Sequence, residues 1–262
     1  MESIMRGVLI LTEGRSGSNW LGSLTNSTGM MGKSSEWVDE YLLGINPRKV
    51  SCSEYVDKVL DMSSTDNEFF SIKLFPRHMI QFQNYFGLDF IKYIRERHDV
   101  LLLSLTRDDQ LGQAISFSKA IQTGAWSSKF DQKRTPIYNF DQICRCFFMI
   151  GRSYDFWVSY AKITQSKVIN FTYEELLENP SKWVDEIAKF AGVDYIIDNL
   201  KSDVQVQRNN QSEIWRKQFA NDACTNEFIS NTTPSVLPRR SISNIFRFLC
   251  GVHTKPKPYV AS

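Results

Sequence analysis

Apolar residues in this chain gather in short runs of strand length, separated by longer stretches in which they recur at helical spacing. The runs "GVLIL", "FFSIKLF", "VLLLSL" and "KVINFTY" predict four strands. Between and after them "NWLGSLTNS", "SEYVDKVLDM", "DFIKYIRER", "LGQAISFSKAIQ", a long stretch around "DQICRCFFMIGRSYDFWVSYAKIT", "TYEELLEN" and "SKWVDEIAKFA" predict helices. Strands that alternate with helices in this way imply an α/β fold, with a mainly parallel central sheet flanked by helices on both faces. Ligands of such sheets bind beyond the carboxyl ends of the strands, so the segments that follow the strands are where chemistry is sought.

The pattern changes after about Asn221, where "NDACTNEFISNTTPSVLPRRS" is polar and rich in turn formers. We therefore divide the chain into a main domain over residues 1–221 and a C-terminal extension over residues 222–262. Within the extension Ile242, Ile245, Phe246 and Leu249 recur at i, i+3, i+4 and i+7, which predicts a short amphipathic helix flanked by Arg239, Arg240 and Arg247. A helix so short is marginal alone in water, so its apolar face calls for cover from the chain itself, a second subunit or a lipid surface. Monomer, homodimer and peripheral membrane contact are accordingly the open alternatives.

Composition removes several classes. The 262 residues are 42% hydrophobic and 23% charged, ordinary for a water-soluble protein. A net charge of +2 gives no electrostatic footprint for nucleic acid. No apolar run approaches membrane-spanning length, and "MESIMRGVLILTEGR" lacks the charge pattern and cleavage site of a signal peptide, so a cytoplasmic location is expected. Five cysteines and three histidines are scattered without disulfide or metal spacing, so reduced thiols and no metal are expected.

Two segments carry candidate chemistry. In "TEGRSGSNWLGSL" a strand feeds a glycine-bearing turn and then a helix. Gly14 and Gly17 relax the backbone, Arg15 supplies charge, Ser16 and Ser18 supply hydroxyls, and the helix start presents free N–H groups. Those parts suit an anion and give the fold a P-loop-like, three-layer character. The loop is not that of a nucleoside-triphosphate site, because Asn19 and Trp20 stand where Gly-Lys-Ser/Thr would be needed. A strand, turn and helix without a ligand is the alternative for this segment alone. The second segment follows "VLLLSL": Arg107 ends the strand, and Ser116 on the next helix reaches the same anion if the chain folds back. Taken alone, Arg107 also fits a solvated surface arginine.

Together, "TEGRSGSNWL" and "LTRDDQLGQAIS" resemble the 5′-phosphosulfate loop and the 3′-phosphate motif of sulfotransferases that use 3′-phosphoadenosine 5′-phosphosulfate (PAPS). "GRSGSNWL", "EW", "RDDQLGQAISFSKAIQTGAW", "VINFTYEELLENP" and "QSEIW" are similar to the bacterial trehalose 2-sulfotransferase family, over roughly residues 7 to 219. The resemblance implies that PAPS is the sulfuryl donor and a carbohydrate or glycolipid hydroxyl the acceptor. It also implies that Arg15, Ser16, Gly17, Ser18, Asn19 and Trp20 hold the 5′ side of the donor, while Arg107 and Ser116 hold the 3′-phosphate. The nine-residue step from Arg107 to Ser116 is one longer than in many animal sulfotransferases. Gln207, Arg208 and Arg216 are candidates to close over the nucleotide, with Gln207 carried forward.

Many cytosolic sulfotransferases carry Lys-x-His where this chain reads "SIKLFPRH". Lys73 matches the lysine, but Phe75 replaces the histidine. The trehalose family uses a glutamate beyond the first helix, which implies Glu36 as the base, with Arg15 and Lys73 as electrophilic partners. From the residues alone, Glu36 is equally a helix-capping carboxylate, and Asp39 and Glu40 lie close by. Trp37 and Trp126 are candidates for stacking on an acceptor sugar, whereas Trp157, in an apolar helix, reads as core. Two other functions remain open to the sequence: a P-loop-like small-molecule or nucleotide kinase, and a nucleotide-binding module without catalysis.

Overall fold

The first predicted strand, β1 (Arg6–Leu11), becomes the second of four in a sheet. In the computed structural model, which describes residues 4–126, 134–197, 200–204 and 210–225, the strand order is β2-β1-β3-β4. Here β2 is Phe69–Leu74, β3 Asp99–Thr106 and β4 Ile169–Thr172, and every pairing is parallel. The α/β architecture read from the sequence is therefore the one observed. Residues Arg6 to Leu11 pair in register with Phe69 to Leu74 on one side and with Asp99 to Ser104 on the other. The chain leaves β1 toward β2, then crosses back to β3, so the topological switch point lies at β1 and β3.

Alternation along the strands divides the core between two faces. Leu9 and Leu11 join Phe70, Ile72, Leu74 and Leu102 on one face. That face is covered by α3 (Cys52–Ser63), α4 (Pro76–Phe86), α5 (Phe90–Arg95) and Trp157 of α7 (Phe140–Ile163). Val8 and Ile10 join Phe69, Leu103, Leu105 and Phe171 on the other. There the cover is α1 (Ser18–Asn26), α8 (Tyr173–Glu178) and α9 (Pro180–Ala191). A third cluster joins α6 (Gln110–Thr123) to α7 and to Trp215 of α10 (Asn210–Thr225). A one-turn α2 (Glu40–Leu43) and a 3-10 turn (Pro47–Lys49) complete the helices described.

The sequence pattern does not single out α4, although Pro76 at its first position and Met79, Phe82 and Phe86 at helical spacing mark it. Helix α10 extends the "QSEIW" motif and continues past Asn221. The amphipathic segment around Ile242 to Leu249, together with Gln207 and Arg208, lies outside the described residues. No described helix is long and apolar enough to cross a membrane.

One core polar group gives the fold a pH dependence. His78, fully buried on α4, accepts the Phe75 N–H at Nδ1 (3.2 Å), which leaves the proton on Nε2, where it has no hydrogen-bond partner. Burial, with the nearby Arg77 and Lys73 charges, pushes this imidazole well below the ordinary histidine range. The unfolded chain takes up a proton below about pH 6.5 and the native protein does not, so stability is present above that pH and falls as pH drops through it. His78→Gln keeps an acceptor for Phe75 and removes the titration. The variant's melting temperature should gain on that of the parent between about pH 7.5 and 5, and a difference that stays flat across that window would assign the acid sensitivity elsewhere.

Candidate active site

The in-register strands end at one edge, and the segments leaving β1, β2, β3 and β4 meet there. Thr12 prolongs β1 by donating its N–H to the Leu74 carbonyl (3.0 Å). Its hydroxyl lies 2.7 Å from both the Leu105 carbonyl and the Ser16 hydroxyl. Trp157 Nε1 donates to the Thr12 carbonyl (3.0 Å), so the tryptophan read as core also fixes the loop. The chain then turns through two left-handed residues, Arg15 (φ 66°) and Gly17 (φ 96°), into α1, whose N-cap Gly17 supplies no side-chain cap. The helix start is thereby directed at the turn with its N–H groups uncapped by a side chain, a geometry that receives anions.

The expectation for the two glycines is corrected in one respect. Gly14 has no positive φ; it is needed for room, since a Cβ there would stand 2.7 Å from the Phe117 ring. The second left-handed position belongs to Arg15, a conformation that costs a non-glycine residue about 1 kcal/mol or more. Arg15 is held by Nε donating to Ser116 Oγ (2.9 Å) and by Nη1 donating to the Trp126 carbonyl. Ser16 and Ser18 are buried, and the Ser16 hydroxyl turns inward to Thr12. Trp20 packs half-buried over the α1/α9 face.

Arg107 meets the same loop from β3. Its Nη1 lies 3.5 Å from the Arg15 carbonyl, its Nη2 3.4 Å from Asp109 Oδ2, and its guanidinium 5.0 Å from the centre of the Tyr173 ring. Arg107 Nε is buried without a hydrogen-bond partner, the Glu174 carboxylate standing 4.0 Å off. Burial and the neighbouring Arg107 charge lower the Arg15 pKa, and Tyr173 opposes that shift. Arg216 reaches the cluster indirectly, donating to both oxygens of Asp109 (2.9 and 2.7 Å). Burial opposes ionisation of Asp109, but the Arg216 bonds, with the Gly112 N–H and Arg107, hold its carboxyl below the ordinary range. Arg15, Arg107 and Ser116, more than ninety positions apart between the first and second, are thus brought together.

The second cluster forms beside β2. Ser35 bridges to Ile72, and the Lys73 N–H donates to the Ser35 carbonyl (2.8 Å), so residues 34–36 run alongside the strand and deliver Glu36 to its end. Glu36 Oε1 stands 3.6 Å from Lys73 Nζ, and Oε2 accepts from Arg77 Nη2 at 3.1 Å. Lys73 Nζ also donates to Asn19 Oδ1 on the first turn of α1. Burial pushes the Lys73 pKa below the usual lysine range, and Glu36 opposes that shift. Asp39 is committed to capping α2 and Glu40 accepts from the Tyr85 hydroxyl, so among these neighbouring carboxylates Glu36 is the one at the Lys73 ammonium.

A cleft of about 510 Å³ opens at Lys73, lined by Asn19, Ser23, Ser35, Ser202 and Asp203 among others. Trp37 packs half-buried against the core, whereas Trp126 is 44% exposed with its ring edge-on to Phe117. Three contributors escape the sequence reading. Glu13 is buried in the loop, Arg77 bridges it to Glu36, and Gln113 donates to the Gly14 carbonyl (2.9 Å). Glu13, Arg77 and Gln113 all lie inside stretches singled out in the sequence, but no local signal assigns them a role there, so only the folded geometry identifies them. No group of three or more His, Cys, Asp or Glu side chains is arranged to hold a metal ion among the described residues.

The family model for Stf0 sulphotransferases matches residues 7–222, and the chain belongs to that family. No curated protein matches the chain. Solved structures are similar at low identity, two of them sulfotransferase domains. The sulfotransferase domain from the Synechococcus PCC 7002 olefin synthase is 12% identical with a TM-score of 0.44, over 98% of each chain. The sulfotransferase domain from the curacin biosynthetic pathway is 10% identical with a TM-score of 0.42, over 95% of this chain and 99% of that one.

The left-handed turn can be tested directly. At Gly17 a Cβ would lie 2.2 Å from the Tyr173 ring, in addition to the conformational cost. Gly17→Ala should lower the melting temperature by several degrees, about 2–4 °C for each kcal/mol of strain in a domain of this size. It should weaken anion binding at the loop as well. A variant as stable as the parent would show that the turn relaxes freely.

Proposed function

We propose that this member of the Stf0 family transfers the sulfuryl group of PAPS to a hydroxyl of a carbohydrate or glycolipid, with Glu36 as general base. The observation that carries the donor assignment is the buried, unpartnered Arg107 Nε beside Arg15 and Ser116. Two arginines that converge with one hydroxyl, one of them with an unused buried donor, suit a phosphate dianion. A 3′-phosphate at this position leaves the start of α1 and the Arg15 turn for the 5′ side. These residues fit PAPS, whose mixed anhydride supplies an already activated sulfuryl group.

The remaining work falls to the second cluster. Glu36 accepts the proton of the attacking hydroxyl as the new sulfur–oxygen bond forms, and the old one to the 5′-phosphate breaks. Lys73, buried and tied to Asn19 on the loop helix, places positive charge where the leaving oxygen develops negative charge. Its partial desolvation makes that charge count for more than it would in water. The cleft beside Lys73 is lined by serine, asparagine and aspartate, which suits a polyhydroxylated acceptor better than an aromatic one. Trp126, whose carbonyl accepts from Arg15, and Trp37, next to Glu36 in the chain, are the aromatic residues proposed to border the sugar. Gln207 is retained as a contact to the nucleotide.

Calorimetry tests the donor site. 3′-Phosphoadenosine 5′-phosphate should bind far better than adenosine monophosphate, and Arg107→Ala should remove most of that preference. Equal affinity of the parent protein for both nucleotides would reject the assignment.

Turnover tests the base. With labelled PAPS and the best acceptor from a panel of mono- and disaccharides, Glu36→Gln should lose at least about a hundredfold in kcat with nucleotide affinity unchanged. Near-normal turnover would place the base elsewhere.

A further inference from the structure

One guanidinium joins the two carboxylates of this edge that belong to different parts of the chain. Arg77, in the first turn of α4, donates to Glu36 Oε2 through Nη2 (3.1 Å) and lies 3.5 Å from Glu13 Oε1 through Nη1. Glu13 sits in the β1–α1 loop and is 4% exposed. Its remaining bonds run into that loop and the core: the Gly14 N–H donates to Oε1 (2.8 Å) and the Ser153 hydroxyl to Oε2 (2.7 Å). A continuous polar chain therefore links Glu36 through Arg77 and Glu13 to the backbone of the turn that carries Arg15.

Fold stability is a poor explanation for Arg77. A cation in the first turn of a helix opposes the helix dipole, and no acidic residue shares that turn to offset it. The side chain is 44% exposed, a setting in which ion pairs contribute about 0–1 kcal/mol. Its guanidinium does rest on an apolar platform, 4.2 Å from the centre of the Phe75 ring, which itself stacks on His78. That platform limits where the guanidinium can go, and the two carboxylates fix its rotation. Without Arg77, the remaining cation at Glu36 is Lys73, at 3.6 Å and shared with Asn19.

We propose that Arg77 is a positioning residue for sulfuryl transfer, which holds the Glu36 carboxylate in the orientation that meets the acceptor hydroxyl and, through Glu13, fixes that orientation relative to the donor loop. The proposal rests on the reading of Glu36 as the base. It explains why a buried glutamate occupies a loop built for anions, where an unpaired carboxylate would repel the donor. Glu13 is turned away from the anion site by Gly14, Ser153 and Arg77, and its charge is spent on fixing the arginine. The arginine fork faces the two carboxylates with separate nitrogens in one fixed plane, whereas a lysine ammonium is a point charge that does not fix their relative orientation.

The test compares Arg77→Gln, Arg77→Lys, Glu36→Gln and the Arg77→Gln/Glu36→Gln pair in the full chain. Labelled PAPS is the donor, and the acceptor is the best sugar from the saccharide panel. Arg77→Gln should lower kcat about tenfold or more, while affinity for 3′-phosphoadenosine 5′-phosphate stays within about twofold. Arg77→Lys should recover part of the loss. In the Glu36→Gln background, Arg77→Gln should add less than about a twofold further loss, since the group it orients is already gone. The proposal is overturned if Arg77→Gln keeps the parent kcat, if its loss is the same in both backgrounds, or if nucleotide affinity and melting temperature fall in step with activity. A Glu36→Gln variant that turns over normally would overturn the base assignment instead, which separates the two failures.

Discussion

Everything at this site depends on the parallel, in-register pairing of β1 with both β2 and β3. Parallel strands buried on both faces leave one free edge for polar chemistry at their carboxyl ends. Because Leu11 lies level with Leu74 and with Ser104, the next residues of each strand are delivered to one rim. A slip of one residue in either pairing would turn Val8 and Ile10 into the layer of Leu9 and Leu11, against the wrong helices. The burial pattern that selects the fold therefore also sets the relative heights of Arg15, Lys73 and Arg107.

The rim gathers cations at a place where water is scarce, and the fold meets that cost by dividing them. Arg15 and Arg107 share one end, with Ser116, the Trp126 carbonyl and Asp109 as polar partners. Lys73 and Arg77 share the other, with Glu36 between them. Asn19 connects the two ends, since it belongs to the helix that the Arg15 turn begins and accepts from Lys73. The first end keeps a buried donor unused at Arg107, while the second is balanced by carboxylates. The unused donor at the first end and the carboxylate at the second are the features on which the proposed donor and base assignments rest.

The sheet, most of its helices and the two segments that converge at Arg15 and Arg107 were legible because each follows from local signals. Strand runs in "GVLIL" and "VLLLSL" carry their own period, and the turn in "TEGRSGSNWL" advertises its glycines. What the sequence concealed is side-chain partnership across distance. Nothing local shows that Arg15, rather than Gly14, takes a left-handed backbone, because the bonds that hold it come from Ser116 and Trp126. Nothing local separates Glu36 from Asp39 and Glu40 either. The structure separates them by giving Asp39 a helix to cap and Glu40 a tyrosine, while residues 34–36 are drawn along β2. Glu13 and Arg77 were invisible for the same reason: each acquires meaning only from the other.

The exchange of histidine for phenylalanine at position 75 then has a physical reading. An imidazole two residues after Lys73 would have to stand at the rim, yet here that position carries a ring buried to 3% exposure and stacked on His78. The ring's other partner is Arg77, so an apolar surface at position 75 supports a cation where a protonatable group is missing. The carboxylate proposed as the base enters from the neighbouring segment, through the Ser35 bridge to Ile72. A base brought in from a separate segment needs a separate means of orientation, which an imidazole anchored on the strand's own continuation would not. On the proposed assignment the phenylalanine, the arginine and the glutamate act as one arrangement, in which changing the identity of the base changes the residues that must hold it.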